Sequence, residues 1–318
     1  MSTSAPLTRA AVRPWLEKLE AGDLVVIAVS GGADSLALAY ALSLEAPKLA
    51  IDVHAVTVDH QLQSGSAIQA EKTAEQMKSL GIKTTIAKVT VEITDGLEAS
   101  ARKARYGALD RVSDDLKAVA IFLGHTRDDQ AESVLLGLAR GSGTRSLSGM
   151  APLQGKYIRP FLSITRAETE SLCRDVGLIA WNDPHNLDSN FARVRVRTDA
   201  IPTLEKAIGP GISDALARSA ELLRHDADAL DAWTKREIQH LDLADLSCEH
   251  LATLPQAIRS RVIRAAIYAA GAPSGSISAE HVTSIEALIT AWSGQGASYL
   301  PGGVKVERLS GRLSLLRN

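Results

Sequence analysis

Only two cysteines, Cys173 and Cys248, occur in the 318-residue sequence. They stand far apart with no CxxC pair, so neither a disulfide framework nor a structural zinc site has support, and both read as packing residues. Long apolar runs are scarce as well. Near the amino end the longest is residues 24–29, far short of the roughly 20 residues of a membrane-spanning helix, and the opening MSTSAPLTRAAVRPW has no signal-peptide core. The expectation is a cytosolic protein without a membrane partner. A net charge of −2 leaves no global footprint for nucleic acid, so any such surface must be local. No internal repeat or low-complexity tract stands out.

With 45% apolar residues the chain can bury a large core, and its length favours two domains. Apolar runs at 24–29, 51–58, 84–89 and 118–123 alternate with helical patterns at 34–44, 67–80, 97–116 and 126–139. That alternation predicts a parallel sheet with right-handed crossovers, whose ligands sit beyond the carboxyl ends of the strands. From about Ile212 the pattern turns helical, with further helices at 255–270 and 278–292, and the chain closes on short strands turned by glycines at 302–303. The predicted division is residues 1–211 for the sheet domain and 212–318 for a smaller, mainly helical one.

The first strand runs into Ser30, Gly31, Gly32, Ala33, Asp34 and Ser35 and then a helix. Glycines let the backbone turn sharply and approach a ligand, and the helix start directs unpaired N–H groups at it, which makes an anion site. Neither GxxxxGK with Ser or Thr nor GxGxxG fits the spacing, so this is a different phosphate loop. Asp34 is anomalous beside a phosphate unless a cation bridges the two or its carboxylate turns back to cap the helix. Magnesium is the inferred cation, with its ligands left open.

A second cluster, residues 124–133, packs His125, Asp128, Asp129 and Glu132 into a strand end and the first turns of a helix. Asp129 is also placed to close a capping box with Thr126. Glu132 lies deeper, where an acid facing the rim suggests a cationic ligand. Between Arg140 and Arg197, nine Lys and Arg stand against five Asp and Glu. Arg193, Arg195 and Arg197 alternate and would share one face of an extended strand, either as a solvated edge or as a nucleic-acid contact. Arg102 and Arg105, three apart on a predicted helix beside Tyr106, could face phosphates together, although Glu98 and Arg102 are also spaced as a surface pair. Asp59 and His60 end a strand at the same rim.

SGGADS at 30–35 resembles the SGGxDS signature of the N-type ATP pyrophosphatases, the PP-loop family. Asp59 and His60 after Val58, Glu98 to Tyr106, the Gly124 segment, Arg140 to Met150, Arg159-Pro160 and Asp188 to Arg197 resemble the tRNA(Ile)-lysidine synthetases within that family. Together these segments cover the first two-thirds of the chain; beyond them the resemblance rests chiefly on Leu300-Pro301-Gly302-Gly303. Gln63 stands where an arginine usually follows, Ser133 replaces a threonine, and Arg145-Ser146 interrupt a stretch that usually has glycine. The length is that of the compact form of the family.

The resemblance implies an adenine nucleotide α-hydrolase-like domain followed by a substrate domain. It also implies ATP-dependent joining of free L-lysine to C2 of the wobble cytidine in isoleucine tRNA with a CAU anticodon, through an adenylated cytidine, giving AMP and pyrophosphate. Asp34, His125 and Asp129 become candidate catalytic residues. Residues 30–35, Asp59, His60, Arg102 and Arg105 are assigned to the nucleotide. Asp129 and Glu132 are assigned to lysine, and Arg140, Arg145, Arg193, Arg195 and Arg197 to RNA. The oligomeric state is open, a homodimer included. Related thiolation enzymes usually need paired cysteines, which this sequence lacks. A glutamine-dependent ligase and a non-catalytic nucleotide sensor are two further readings of the same phosphate loop.

Overall fold

The computed structural model describes residues 4–61, 65–92, 96–141, 143–183, 188–273 and 275–317. Gln63 lies outside them. Two compact units form, Met1–Leu223 and Arg224–Asn318, so the division falls some way into the helix that the sequence pattern starts at Ile212.

In the first unit the elements run α1 (Ser4–Leu16), β1 (Leu24–Ala28), α2 (Ala33–Glu45), β2 (Asp52–Asp59), α3 (Ser66–Ser79), β3 (Lys83–Lys88), α4 (Leu97–Asp115) and β4 (Ala120–Leu123). There follow α5 (Arg127–Ala139), α6 (Thr144–Leu147), a hairpin of β5 (Leu153–Gln154) and β6 (Tyr157–Ile158), α7 (Arg166–Val176), α8 (Ala192–Arg195) and α9 (Ile201–Ile208). The sheet order is β3-β2-β1-β4-β6-β5, parallel except for the β5–β6 pair. Strand β1 is apolar at every position because both faces of the sheet are covered. Val25 and Ile27 join α1, α2 and α7 on one side, while Val26 joins Leu109 of α4 on the other. Helix α1, which the hydropathy pattern does not announce, is tied to α2 by Glu45, whose buried carboxylate takes Arg9, Arg13 and Lys48.

Strand order reverses between β1 and β4, which are hydrogen-bonded neighbours with Ala28 opposite Leu123. At such a switch point the two following loops diverge to opposite faces and leave a crevice at the carboxyl end of the sheet. Residues 30–35 and 124–126 are those two loops.

The second unit carries the end of α10 (Ile212–Ile238), β7 (Asp245–Ser247), α11 (Cys248–Thr253), α12 (Gln256–Ala269), α13 (Ala279–Thr290), β8 (Ser298–Leu300), β9 (Val304–Leu309) and β10 (Arg312–Arg317). Its antiparallel sheet, β7-β10-β9-β8, shares a core with the helices through Leu246, Val262, Ile285, Val304 and Leu313. Gly302 turns β8 into β9 at φ +80°, and a Cβ there would lie 2.7 Å from Pro273 Cδ, so the turn accepts only glycine without rearrangement. None of the described helices is long and apolar enough to cross a membrane.

Candidate active site

The loop after β1 is held by its own hydroxyls. Ser35 Oγ donates to the Gly32 carbonyl at 2.9 Å, the Ser30 N–H donates to Ser35 Oγ at 3.2 Å, and the Gly32 N–H donates to Ser30 Oγ at 3.4 Å. No side chain caps α2, whose N-cap is Gly32, so its first N–H groups and the positive end of its dipole are left for an anion. The two glycines do different work. Gly31 has φ +86°, and a Cβ on it would fall 2.7 Å from Thr73 Oγ1, whereas a Cβ on Gly32 would meet only Ser30 Oγ at 3.6 Å. Gly31 therefore fits the loop against α3, and Gly32 keeps the approach to the helix start open. Over this loop the Trp181 N–H donates to the Gly31 carbonyl at 2.9 Å.

Asp34 does not turn back to cap α2. Its carboxylate accepts from Thr169 Oγ and lies 3.6 Å from Arg166 Nε, both from α7. A cation beside Asp34 is thus supplied by the chain itself, as Arg166. Burial still pushes the Asp34 carboxyl up to about 6, against the effects of Thr169 and Arg166. Beneath the same turn Cys173 Sγ donates to the Ala33 carbonyl at 3.4 Å, and burial, then Asp34, pushes its thiol up to about 12. It is a packing residue.

The second loop presses against the first. Gly124 sits so near α2 that a Cβ on it would lie 2.9 Å from the Asp34 carbonyl oxygen. Beyond it Asp129 closes a capping box with Thr126, accepting from its N–H at 2.8 Å. Its other oxygen takes Arg166 Nη2 at 3.2 Å. Burial is the strongest single influence and works to raise the Asp129 carboxyl, but Arg166, His125, the Thr126 N–H and Arg193 together outweigh it and keep the group below its usual range. Asp129 is therefore both the cap and a charged group of the cluster.

Glu132 is 1% exposed. Arg197 grips it through Nε at 2.7 Å and Nη2 at 3.2 Å, with Arg166 at 3.5 Å and Arg193 at 3.8 Å. The cation expected opposite Glu132 is supplied in this structure by the chain's own arginines. This geometry also corrects the expectation of an extended strand at 193–197. The segment is helical, α8 running into a π-helical turn, Val196–Ala200. Residues four apart then share a face while the one between them does not. Arg193 and Arg197 accordingly point to Glu132, Arg193 also donating to Ser133 Oγ at 2.9 Å, whereas Arg195 is exposed and donates to the carbonyls of Ser189 and Asn190.

His125 Nδ1 is buried without a hydrogen-bond partner. Against the pull of Asp129, burial and then the charges of Arg105, Arg159 and Arg102 hold the ring well below the usual imidazole range, so it is neutral. Asp59 is buried and accepts from the Gln61 N–H at 2.9 Å. His60 Nδ1 and Arg105 Nε are also buried and unpartnered, with the pKa of each group lowered chiefly by burial. Each of these atoms has bonding capacity that the chain itself does not meet. Arg102 stacks over Tyr106, 4.8 Å from the ring centre. Arg140, at the end of α5, and Arg145, in α6, are exposed. The segment after α6 is clamped at Met150, whose N–H and carbonyl both bond the Gln130 side chain, at 2.6 and 2.9 Å.

Arg166 and Thr169 are the site residues that motif and spacing did not disclose. Thr165-Arg166-Ala167-Glu168 has the spacing of a capping box, and the box is formed, which marks a helix start at Arg166. Among the described residues no group of three or more side chains is arranged to hold a metal ion. A divalent cation here would thus depend mainly on oxygens of a bound phosphate.

A PP-loop domain model matches residues 8–204, 197 of the 318 residues, and a TilS substrate binding domain model matches 246–314. A tRNA(Ile)-lysidine synthase of Thermobifida fusca is 49% identical over 310 residues, 96% of each chain. The chain belongs to the tRNA(Ile)-lysidine synthase family. Another member, from Streptomyces coelicolor, is 50% identical over 301 residues, covering 93% of this chain and 86% of that one. In fold, the chain is similar to the U34-tRNA thiolase NcsA of Methanococcus maripaludis, solved with its [4Fe-4S] cluster, at a TM-score of 0.59 and 24% identity over 70% of this chain and 80% of that one. The family rests on an ATP-using PP-loop domain, which here is the sheet unit with its uncapped α2.

Proposed function

We propose that the chain joins free L-lysine to C2 of the wobble cytidine in isoleucine tRNA with a CAU anticodon, consuming ATP. The observation that carries this reading is the meeting, at one strand-order switch, of an open helix start with the Asp34, Asp129 and Glu132 cluster. The first suits a polyphosphate and the second an amine.

A cytosine C2 carbonyl has no competent leaving group. In the proposed reaction its oxygen attacks the α-phosphorus of ATP, the bond to the β-phosphate oxygen breaks, and pyrophosphate leaves. The lysine side-chain amine then attacks C2, the C2–O bond breaks, and AMP departs as the amine loses a proton. Residues 30–35 and the α2 N-terminus would hold the β and γ phosphates, whose charge the oriented N–H groups offset. Mg²⁺ would enter with the nucleotide. Asp59, His60 and Arg105 are assigned to the rest of the ATP, whereas Arg102, expected there as well, is stacked on Tyr106.

The incoming ammonium, with an unperturbed pKa of about 10.4, would compete with Arg166 for Asp129 and Glu132. Arg166 stands 3.2 to 3.6 Å from its three carboxylates, looser than Arg197 at 2.7 Å on Glu132, and is the partner that yields more readily. The proton is assigned to His125, unpartnered at Nδ1, or to a phosphate oxygen, the second being favoured while burial keeps the imidazole hard to protonate. Contact with the RNA backbone is assigned to Arg140, Arg145 and Arg195, while Arg193 and Arg197 act through Glu132.

The test is incubation with ATP, radiolabelled lysine and isoleucine tRNA. Label should enter the tRNA in step with pyrophosphate release and require all three components. Pyrophosphate release without labelled tRNA would reject the assignment.

A further inference from the structure

An open groove of about 580 Å³ lies between α4 and the β5–β6 hairpin, lined by Arg102, Lys103, Tyr106, Lys156, Tyr157 and Arg159 among others. Four of these six are cationic and two aromatic. We infer that this groove holds a nucleotide of the RNA flanking the modified cytidine, its phosphate on Arg102, Lys103 and Arg159 and its base against the Arg102–Tyr106 platform.

Three observations support this. First, the platform is built. Arg102 Nη2 donates to Tyr106 Oη at 3.2 Å, its guanidinium stacks on the ring, and Tyr157 meets Tyr106 edge-on at 4.9 Å between ring centres. Unpaired bases stack on such aromatic and guanidinium planes. Second, the groove has a cation with unmet bonding capacity. Arg159 is only 3% exposed and donates from Nη1 to the Ala151 carbonyl, yet its Nε has no partner. Lys156, by contrast, is engaged by Asp110 and Asp114 and braces the wall. Third, the groove adjoins the candidate active site. Strand β6 pairs with β4 through Phe122 and Ile158, so Arg159 emerges beside the end of β4 that leads to His125. A strand with one nucleotide in the groove would bring its neighbour to the switch-point crevice. Lone phosphates would need the cations but not the paired tyrosines.

This inference rests on the proposed RNA substrate, and the test separates the two. Lys103→Glu with Gln154→Glu reverses one charge and adds a second negative one at the groove mouth, on two exposed side chains that have no role assigned toward ATP. Binding of an anticodon stem-loop RNA to the full chain should weaken by about tenfold or more, with a salt slope smaller by about one phosphate contact. ATP affinity and melting temperature should be unchanged. A 4-thiouridine placed beside the cytidine should crosslink to Tyr106 or Tyr157. If the unaltered chain does not bind the stem-loop, the RNA reading itself fails. If it binds and the double variant binds equally well, or loses ATP instead, the groove assignment is overturned.

Discussion

Gly124 follows β4 and Asp34 stands in the first turn of α2, yet a single methyl on Gly124 would lie 2.9 Å from the Asp34 carbonyl oxygen. This close approach joins the phosphate loop to the His125 and Asp129 segment. Because the obstacle is backbone and cannot rotate away, Gly124→Ala should destabilise the sheet unit by about 1–3 kcal/mol and weaken ATP binding. Thermal melting and nucleotide titration check both, and an unchanged melting temperature would contradict the packing argument.

The adjacent glycines should separate by variant. Gly31→Ala forces a side chain into φ +86° and onto Thr73, at about 1–2 kcal/mol for the backbone conformation alone. Gly32→Ala meets no tight contact and should fold normally while binding ATP less well. Equal melting losses in the two variants would show that their roles are not distinct.

Asp34 gives the apo protein a pH dependence of definite sign. Its folded pKa of about 6 lies above the ordinary 3.8, so its contribution to stability is complete below about pH 4 and is lost as pH rises through 6. Asp34→Asn should therefore match the unaltered chain near pH 4 and exceed it at pH 8 by about 1–3 kcal/mol, while losing lysidine formation. Denaturant midpoints at the two pH values decide this; greater stability of the unaltered chain at pH 8 would reverse the assigned sign.

Glu132→Ala should cost about 1–3 kcal/mol, because it leaves the half-buried guanidinium groups of Arg193 and Arg197 without their counter-charge. A double-mutant cycle with Arg197→Met should show coupling of about 1–3 kcal/mol, and simple additivity would mean that the pair is not the anchor of α8.

These sites differ in how far the sequence disclosed them. The β1-loop-α2 corner was legible because apolar run, glycines and helix are contiguous, and local chemistry alone dictates the turn. Arg193 to Arg197 misled because RVRVR alternates charge with β-branched valine, the period of a strand. A buried Glu132 more than 60 residues away instead favours a helix, which brings two of the three arginines to one side. Arg166 was invisible for the same reason: the carboxylates it joins, Asp34, Asp129 and Glu132, lie 132, 37 and 34 positions distant in sequence. Helix α1 is not legible in the sequence, which carries Pro14 inside it and no strong start signal, and its link to α2 through Glu45 is also long-range.

The register of Ala28 with Leu123 carries a mechanical consequence. Both loops of the crevice are cantilevered from neighbouring, hydrogen-bonded strands in the interior of one sheet. A thermal displacement of either strand drags the other along, so the gap between the α2 start and the carboxylate cluster is fixed by the sheet's stiffness, without a hinge having to set it.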